Sequence, residues 1–396
     1  MTIELNDITT VLLAFVVYLI GEFLLKKIKF LYRFAIPAPV VGGLLFAILS
    51  LVLASLGWLH FKLNTDFQSL FMIAFFTTIG LGASFGLVKL GGKLLIIYWL
   101  VCGFMAFMQN ILGISVAVLF GQNPLLGVMT GAASMEGGHG GATAYGTTLE
   151  EMGVSGALSI GLASATLGLI SGGLAGGPVV KNLINKFNLN PSDTDDAVFG
   201  DERDVEAHID SKAFIRTSAV IVLCMVVGSL IGDTFTKLTG FTLPGYVGAM
   251  FTAVIVRNVI DRVKPDMLNL AVNEVVGDVT LAVFLSMALM SIKLAEISGN
   301  IPLILTTLIV QVAFIVLFSR FVLFKLLGGT YDSAVMIGGF LGHGLGATPN
   351  AMANMQSVTR QYGPSQKAFL IVPIVGAFLI DVFAVPIIIT SINLFS

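Results

Sequence analysis

Two glycine-rich stretches hold the side chains with most scope for chemistry. Residues 338–355 read GGFLGHGLGATPNAMANM, with five glycines, one histidine and one proline between long apolar runs. Glycine lowers helix propensity, so this density predicts a chain break. Beyond it Thr348 can cap a new helix, with Pro349 in its first turn. Asn350 and Asn354 then share one face, four residues apart. A helix start offers free N–H groups and partial positive charge, a setting for a carboxylate. Irregular backbone at membrane depth is tolerated where it is buried in protein or lines a watery cavity. A transporter binding site and a glycine-packed helix contact with a proline kink are the two readings of this stretch.

Residues 124–151, PLLGVMTGAASMEGGHGGATAYGTTLEE, repeat the theme. Two half-helices of about 12 residues each reach about 18 Å, enough to touch a bilayer midplane and return. This predicts a re-entrant hairpin with its tip near Gly138. Candidate substrate contacts are Ser134, Gly137, Gly138, Gly140 and Thr143 here, and Gly344, Gly346, Thr348, Pro349, Asn350 and Asn354 in the second stretch. His139 and His343 sit at the two tips. Without a cysteine or an HExxH pattern beside them, packing or a hydrogen bond to backbone is expected rather than a metal site. Glu136 enters the same apolar segment, where burial without a partner is costly. It binds a cation or a proton, or it faces water at the hairpin mouth.

Asp381 stands between FLI and VFAVPIII, and a carboxylate in such a run is a functional candidate by default. Sodium ligation and recognition of a substrate's amino group are its candidate roles, with an internal salt bridge as the alternative. Asn110, with Gln109 beside it, and Asp278 are further candidates for sodium. Arg257 is expected to anchor the end of its span at the membrane interface.

The elements that position these residues follow from composition. The chain has 396 residues, 56% hydrophobic and 11% charged, with a mean hydropathy of +0.96. Soluble domains carry about 25% charge, so the chain reads as an all-α polytopic membrane protein embedded in lipid. A formal net charge of −2 implies no nucleic-acid partner. Cys102 and Cys224 each lie in an apolar run and read as small buried hydrophobes. The first span opens after MTIELND without a basic region, so no cleaved signal peptide is expected. No GxSxG or HExxH motif argues for an enzyme, and no cofactor is implied.

Ten spans are expected, five on each side of an acidic linker at 181–212. The domains are then 1–180, with a hairpin at about 124–151, and 213–396, with a hairpin at about 332–356. Three motifs recur in order between the halves: IPAPVVGG from Ile36 and LPGYVGA from Leu243, AFFTTIGL from Ala74 and AVFLSMAL from Ala282, HGGAT from His139 and HGLGAT from His343. Their offsets of about 204 to 208 residues argue for a duplication. An odd span number per half inverts the second half. With the N-terminus outside, all of the 21 lysines and arginines except Lys62, Lys237 and Lys293 fall inside. Both termini are therefore expected outside and the linker in the cytoplasm. Oppositely inserted hairpins are the plan of an inverted-repeat transporter; a channel, built around an oligomer axis, fits less well.

GGHGG at Gly137–Gly141, GLGATPNAMANMQ at Gly344–Gln356 and VPIVGAFLID ending at Asp381 resemble the bacterial sodium/glutamate symporters, as do IPAPVVGGL at Ile36 and FFTTIGL at Phe75. The resemblance implies sodium-coupled uptake of L-glutamate across the bacterial inner membrane by a homodimer. It also implies two five-span halves with re-entrant loops and an elevator-like motion. A carrier of citrate, malate or aspartate, driven by sodium or protons, is the alternative. One departure stands out. The family's first loop usually reads SGGHGTG, whereas this chain has EGGHGGA, with Glu136 in place of a small hydroxyl residue.

Overall fold

The computed structural model describes residues 2–28, 31, 36–86, 92–191, 209–264, 267–292 and 297–396. The elements in order are β1 (Thr2–Leu5), α1 (Asp7–Lys27), α2 (Ala38–Ser55), β2 (His60–Leu63), α3 (Asp66–Gly82), α4 (Gly92–Leu119), α5 (Pro124–Met129), α6 (Ala132–Met135), α7 (Gly138–Glu151), α8 (Ala157–Phe187), α9 (Ser211–Thr239), α10 (Gly245–Val263), α11 (Leu270–Met290), α12 (Ile301–Leu326, with a π-turn at Ser319–Leu323), α13 (Tyr331–Gly344), α14 (Thr348–Tyr362), α15 (Gln366–Ile374) and α16 (Ile380–Phe395). A π-turn at Val375–Leu379 joins the last two.

Helix ends follow local chemistry. Asn6, Asp210 and Asn269 cap α1, α9 and α11 by accepting the N–H of Thr9, Ala213 and Val272, which satisfies donors that the first turn leaves open. Asp7 begins α1 and Lys26 and Lys27 end it, matching the helix dipole. Pro178 lies inside α8 without ending it, and the helix runs on to Phe187. The expected linker is thus shorter than 181–212. Its central acidic residues, 192–208, fall outside the described residues, as do Lys29, Arg33, Lys89, Arg203 and Lys293 of the charge argument.

Seven described helices are long and apolar enough to cross a membrane: α1, α2, α4, α8, α9, α11 and α12. The other expected spans are also helical. However, α3 has 17 residues, α10 carries Arg257, Asp261 and Arg262, and the last span is split by its π-turn. Only 22% of the apolar window of α1 and 28% of those of α9 and α12 are buried. Leu12, Leu19, Phe23, Leu223, Leu230, Ile309 and Leu317 point outward, a surface that needs lipid rather than water. The chain is a multi-pass, predominantly α-helical membrane protein. The exception to the helical expectation is a parallel pair, Thr2–Leu5 against His60–Leu63, with an exposed Lys62–Glu4 ion pair of 2.9 Å. Two four-residue strands far apart in sequence give no periodic signal long enough to read.

The chain forms two compact units, Met1–Ser84 with Asp204–Ser298, and Phe85–Arg203 with Gly299–Ser396. Each takes one segment from each sequence half. In the first unit α3 packs on α10 and α11, and α1 on α2 and α11. Its cores are Leu81, Val220, Ile221, Cys224, Ala253 and Ile260, and Ala14, Val17, Val283, Met287 and Met290. In the second unit α8 packs on α7, α13 and α14, while α4 packs on α5, α12 and α16.

Candidate functional site

Both glycine-rich stretches are helix breaks within the second unit. In the first, Asn123 caps α5 by accepting Leu125 N–H at 2.9 Å, and Pro124 fits the opening turn. The chain breaks at Thr130–Gly131 and again at Glu136–Gly137 before α7 begins. Gly138 starts α7 at φ +56°, a left-handed conformation that suits glycine. The second break lies between α13 and α14. There Ala347 is extended and is the cap residue, displacing Thr348 from its expected role; Thr348 and Pro349 form the first turn. The Thr348 hydroxyl instead donates to Gly376 O at 2.7 Å, tying the break to the π-turn before α16.

The two breaks lie against each other. A β-carbon on Gly138 would sit 2.9 Å from Gly346 O and 3.7 Å from the β-carbon of Ala347. Gly168 of α8 touches Leu345 O in the same way. Two adjacent polar residues of α4 hold the breaks in place. Asn110 Oδ1 accepts Ala132 N–H at 3.0 Å, and its Nδ2 donates to Ser391 Oγ at 3.1 Å. Gln109 Nε2 donates to Gly344 O at 2.5 Å, and Gln311 Nε2 of α12 donates to Gln109 O at 2.8 Å. Asn110 therefore serves the backbone of the first break in this arrangement. Gln311 went unrecognised in the sequence, although a glutamine inside IPLILTTLIVQVAFIVLF was a visible signal.

Asn350 and Asn354 do share a face, and that face meets α8. Asn350 Nδ2 donates to Leu169 O at 3.0 Å; Asn354 Nδ2 reaches Gly172 O at 3.2 Å and Gly338 O at 3.1 Å. Ser134 donates to Met129 O and Thr143 to His139 O. Gly344 is buried, Gly137 and Gly140 are half-buried and Pro349 is exposed.

The histidines are packed among neighbouring side chains, as one of the two expectations had it, and their hydrogen-bond partners are side-chain hydroxyls rather than backbone. His139 Nε2 lies 3.0 Å from Thr166 Oγ1, whose own proton goes to Leu162 O, so the imidazole is the donor. His343 Nδ1 lies 3.4 Å from the Tyr98 hydroxyl, and Gly376 leaves room for its ring. Among the described residues no group of three or more His, Cys, Asp and Glu is placed to hold a metal ion.

Two carboxyls of the second unit remain from the candidate set, Glu136 buried and Asp381 half-buried. Glu136 is 8% exposed, and both its oxygens are buried without a hydrogen-bond partner. Asp381 lies in the first turn of α16, which packs against α6 and α4. No lysine or arginine is among the buried described residues. Two candidates lie in the first unit. Asp278 is exposed on α11. Arg257 is no mere interfacial anchor: it donates to Leu81 O at 3.2 Å and pairs with Asp261 at 2.9 Å, while Asp261 accepts from Ser84 at 2.7 Å and Asn258 donates to Ala83 O at 2.9 Å. This cluster caps the carbonyl end of α3.

The arrangement offers buried backbone at two abutting breaks, with helix starts for an anion and oxygen groups for a cation. The sodium/glutamate symporter family profile matches residues 3–364. A sodium/glutamate symporter of Haemophilus influenzae is 39% identical over 388 residues, covering 96% of each chain. That of Escherichia coli is 38% identical over 384 residues, covering 96% of this chain and 95% of its own. By the span of that match and by those identities, the chain belongs to the sodium/glutamate symporter family, a family of transporters and not of enzymes.

Proposed function

We propose that this chain imports L-glutamate across the bacterial inner membrane with sodium as the coupling ion. The observation that carries the reading is the contact of the two breaks at Gly138 and Gly346. Glutamate lies at the break backbone, its carboxylates on the helix starts at Gly138 and Thr348. Ser134, Gly137, Gly140, Thr143, Gly344, Gly346, Pro349, Asn350 and Asn354 shape that place, and Asp381 faces the amino group or the sodium ion. Sodium takes carbonyl oxygens freed at the breaks, with Asp381, Asn110 and Glu136 as side-chain candidates. The exposure of Asp278 on the first unit weighs against it.

The breaks act as re-entrant hairpins of two inverted repeats. Supporting this, the first unit pairs α1–α3 with α9–α11 and the second pairs α4–α8 with α12–α16, the pairing a duplicated chain would give. The second unit, which holds both breaks, is the moving body of an elevator-like cycle, in a lipid-embedded homodimer with both termini periplasmic and the acidic linker cytoplasmic. The test is uptake of labelled glutamate, aspartate and citrate by proteoliposomes with and without an inward sodium gradient. Sodium-driven accumulation of glutamate above the other two is expected. Uptake indifferent to sodium, or a preference for citrate, would overturn the reading.

A further inference from the structure

We infer that Glu136 and Asp381 together hold one monovalent cation, a sodium ion or a proton, that enters each transport cycle. This rests on the transport reading above and adds a coupling ion to it.

The argument starts from burial. Glu136 ends the short helix α6, is more than nine-tenths buried, and neither of its two oxygens meets a donor. An ionised carboxylate so placed is costly unless a positive charge joins it. The walls supply none. From α4 the titratable neighbours are Tyr98 and Cys102, and from α16 Asp381. On α13 His343 meets Tyr98 through Nδ1 and turns its unpartnered Nε2 toward Gly376, and on α7 His139 is engaged with Thr166. No lysine or arginine is among the buried described residues.

Packing places the segments that carry the two carboxyls side by side, independently of charge. Trp99 of α4 donates to Leu379 O at 2.5 Å. A β-carbon at Gly103 would meet the Phe383 ring at 2.7 Å. The 98–103 turn of α4 therefore seats the segment carrying Asp381, while Asn110 of the same helix holds the start of α6 through Ala132. Two neighbouring carboxyls without a basic partner do not both stay bare; one positive charge between them removes the repulsion and the unpaired burial together. Because Glu136 brings one more negative charge to the moving site, it requires one more cation per cycle. A hydroxyl residue at this position would bring no such requirement.

The experiment compares the parental chain with Glu136→Gln and Glu136→Asp in proteoliposomes. It measures charge moved per labelled glutamate across series of pH and of sodium concentration. Glu136→Gln is expected to lower the charge-to-glutamate ratio by about one elementary charge, and Glu136→Asp to keep the parental ratio. If the cation is a proton, the variant loses a pH dependence of up to about tenfold per pH unit and keeps its sodium steepness. If it is sodium, the sodium dependence becomes less steep and the pH profile stays. An unchanged ratio with both profiles intact overturns the inference. So does an unchanged ratio with weaker glutamate affinity at every pH and sodium level, which would assign the carboxyl to the substrate's amino group. Thermal stabilisation of the purified chain by sodium chloride over choline chloride, read across pH, needs no transport. If parental vesicles fail to take up glutamate, the transport reading falls, and this measurement still decides the site: parental stabilisation, by sodium or by lowered pH, that is lost in both Glu136→Gln and Asp381→Asn supports it. Equal dependence of stability on both sodium and pH in all three chains rejects it. Should Glu136→Gln fail to fold, Asp381→Asn and Glu136→Asp give the same stabilisation comparison, with loss expected in the first and retention in the second.

Discussion

Gly138→Ala probes the meeting of the two breaks with a single methyl group. Two costs are expected. Gly138 has φ +56°, and a residue with a β-carbon pays roughly 1–2 kcal/mol in the left-handed region. The new methyl would also sit 2.9 Å from Gly346 O, and overpacking of that kind typically adds about 1–3 kcal/mol. Gly153 supplies the control: it has φ +92° and nothing within 4 Å of a built β-carbon. Gly153→Ala meets the first cost alone, so the difference between the variants isolates the contact between the breaks. If the bound state needs that contact, the excess weakens glutamate affinity roughly five- to a hundred-fold relative to Gly153→Ala. The assay is half-saturation of sodium-driven glutamate uptake, with thermal midpoints in detergent as the check on folding. Equal behaviour of the two variants in both assays would refute the reasoning, because the breaks would then not constrain each other.

Arg257→Met removes the donor to Leu81 O and the 2.9 Å pair with Asp261; a loss of roughly 1–3 kcal/mol is expected, and an unchanged thermal midpoint would show that the cap on α3 is idle. Asn354→Ala deletes two donations to backbone, at Gly172 and Gly338, so it should lower the melting temperature and weaken glutamate affinity, whereas parental values for both would remove the α8–α14 stitch from the account. Asp381→Asn should abolish most sodium-driven uptake while the protein still inserts, and normal uptake would make the carboxylate irrelevant to coupling. A cysteine at Asp195 should resist an impermeant reagent applied to intact cells, and efficient labelling would reverse the proposed orientation.

The sequence carried the helices because twenty-residue apolar runs and their capping residues are local signals. The breaks were legible in part: glycine clusters mark Gly138 and Gly346, whereas the additional break at Thr130–Gly131, which splits the expected first half-helix, has one glycine and no cluster. What sequence could not supply was direction. The Asn350 and Asn354 amides point at carbonyls of α8, about 180 residues earlier in the chain, and spacing within one helix does not reveal such a partner. Gln109 and Gln311 meet across 202 residues for the same reason. The cap moved from Thr348 to Ala347 because an extended residue can open a helix whose first turn already holds proline, which freed the threonine hydroxyl for Gly376. Arg257 looked interfacial because it sits near a helix end; its work is on the end of α3, which only the packing of α10 against α3 brings within reach.

The central claim is that glutamate and sodium bind where the two breaks meet, and Ala347→Cys tests it most directly. Ala347 is the half-buried cap residue of α14 beside Gly138, while both native cysteines are buried. The measurement is the rate at which a small thiol reagent modifies the purified variant with glutamate, with sodium, with both, and with choline in place of sodium. Modification is expected to slow at least several-fold only when glutamate and sodium are present together. A rate that is the same in all four conditions, in a variant that still takes up glutamate, would place the binding site elsewhere.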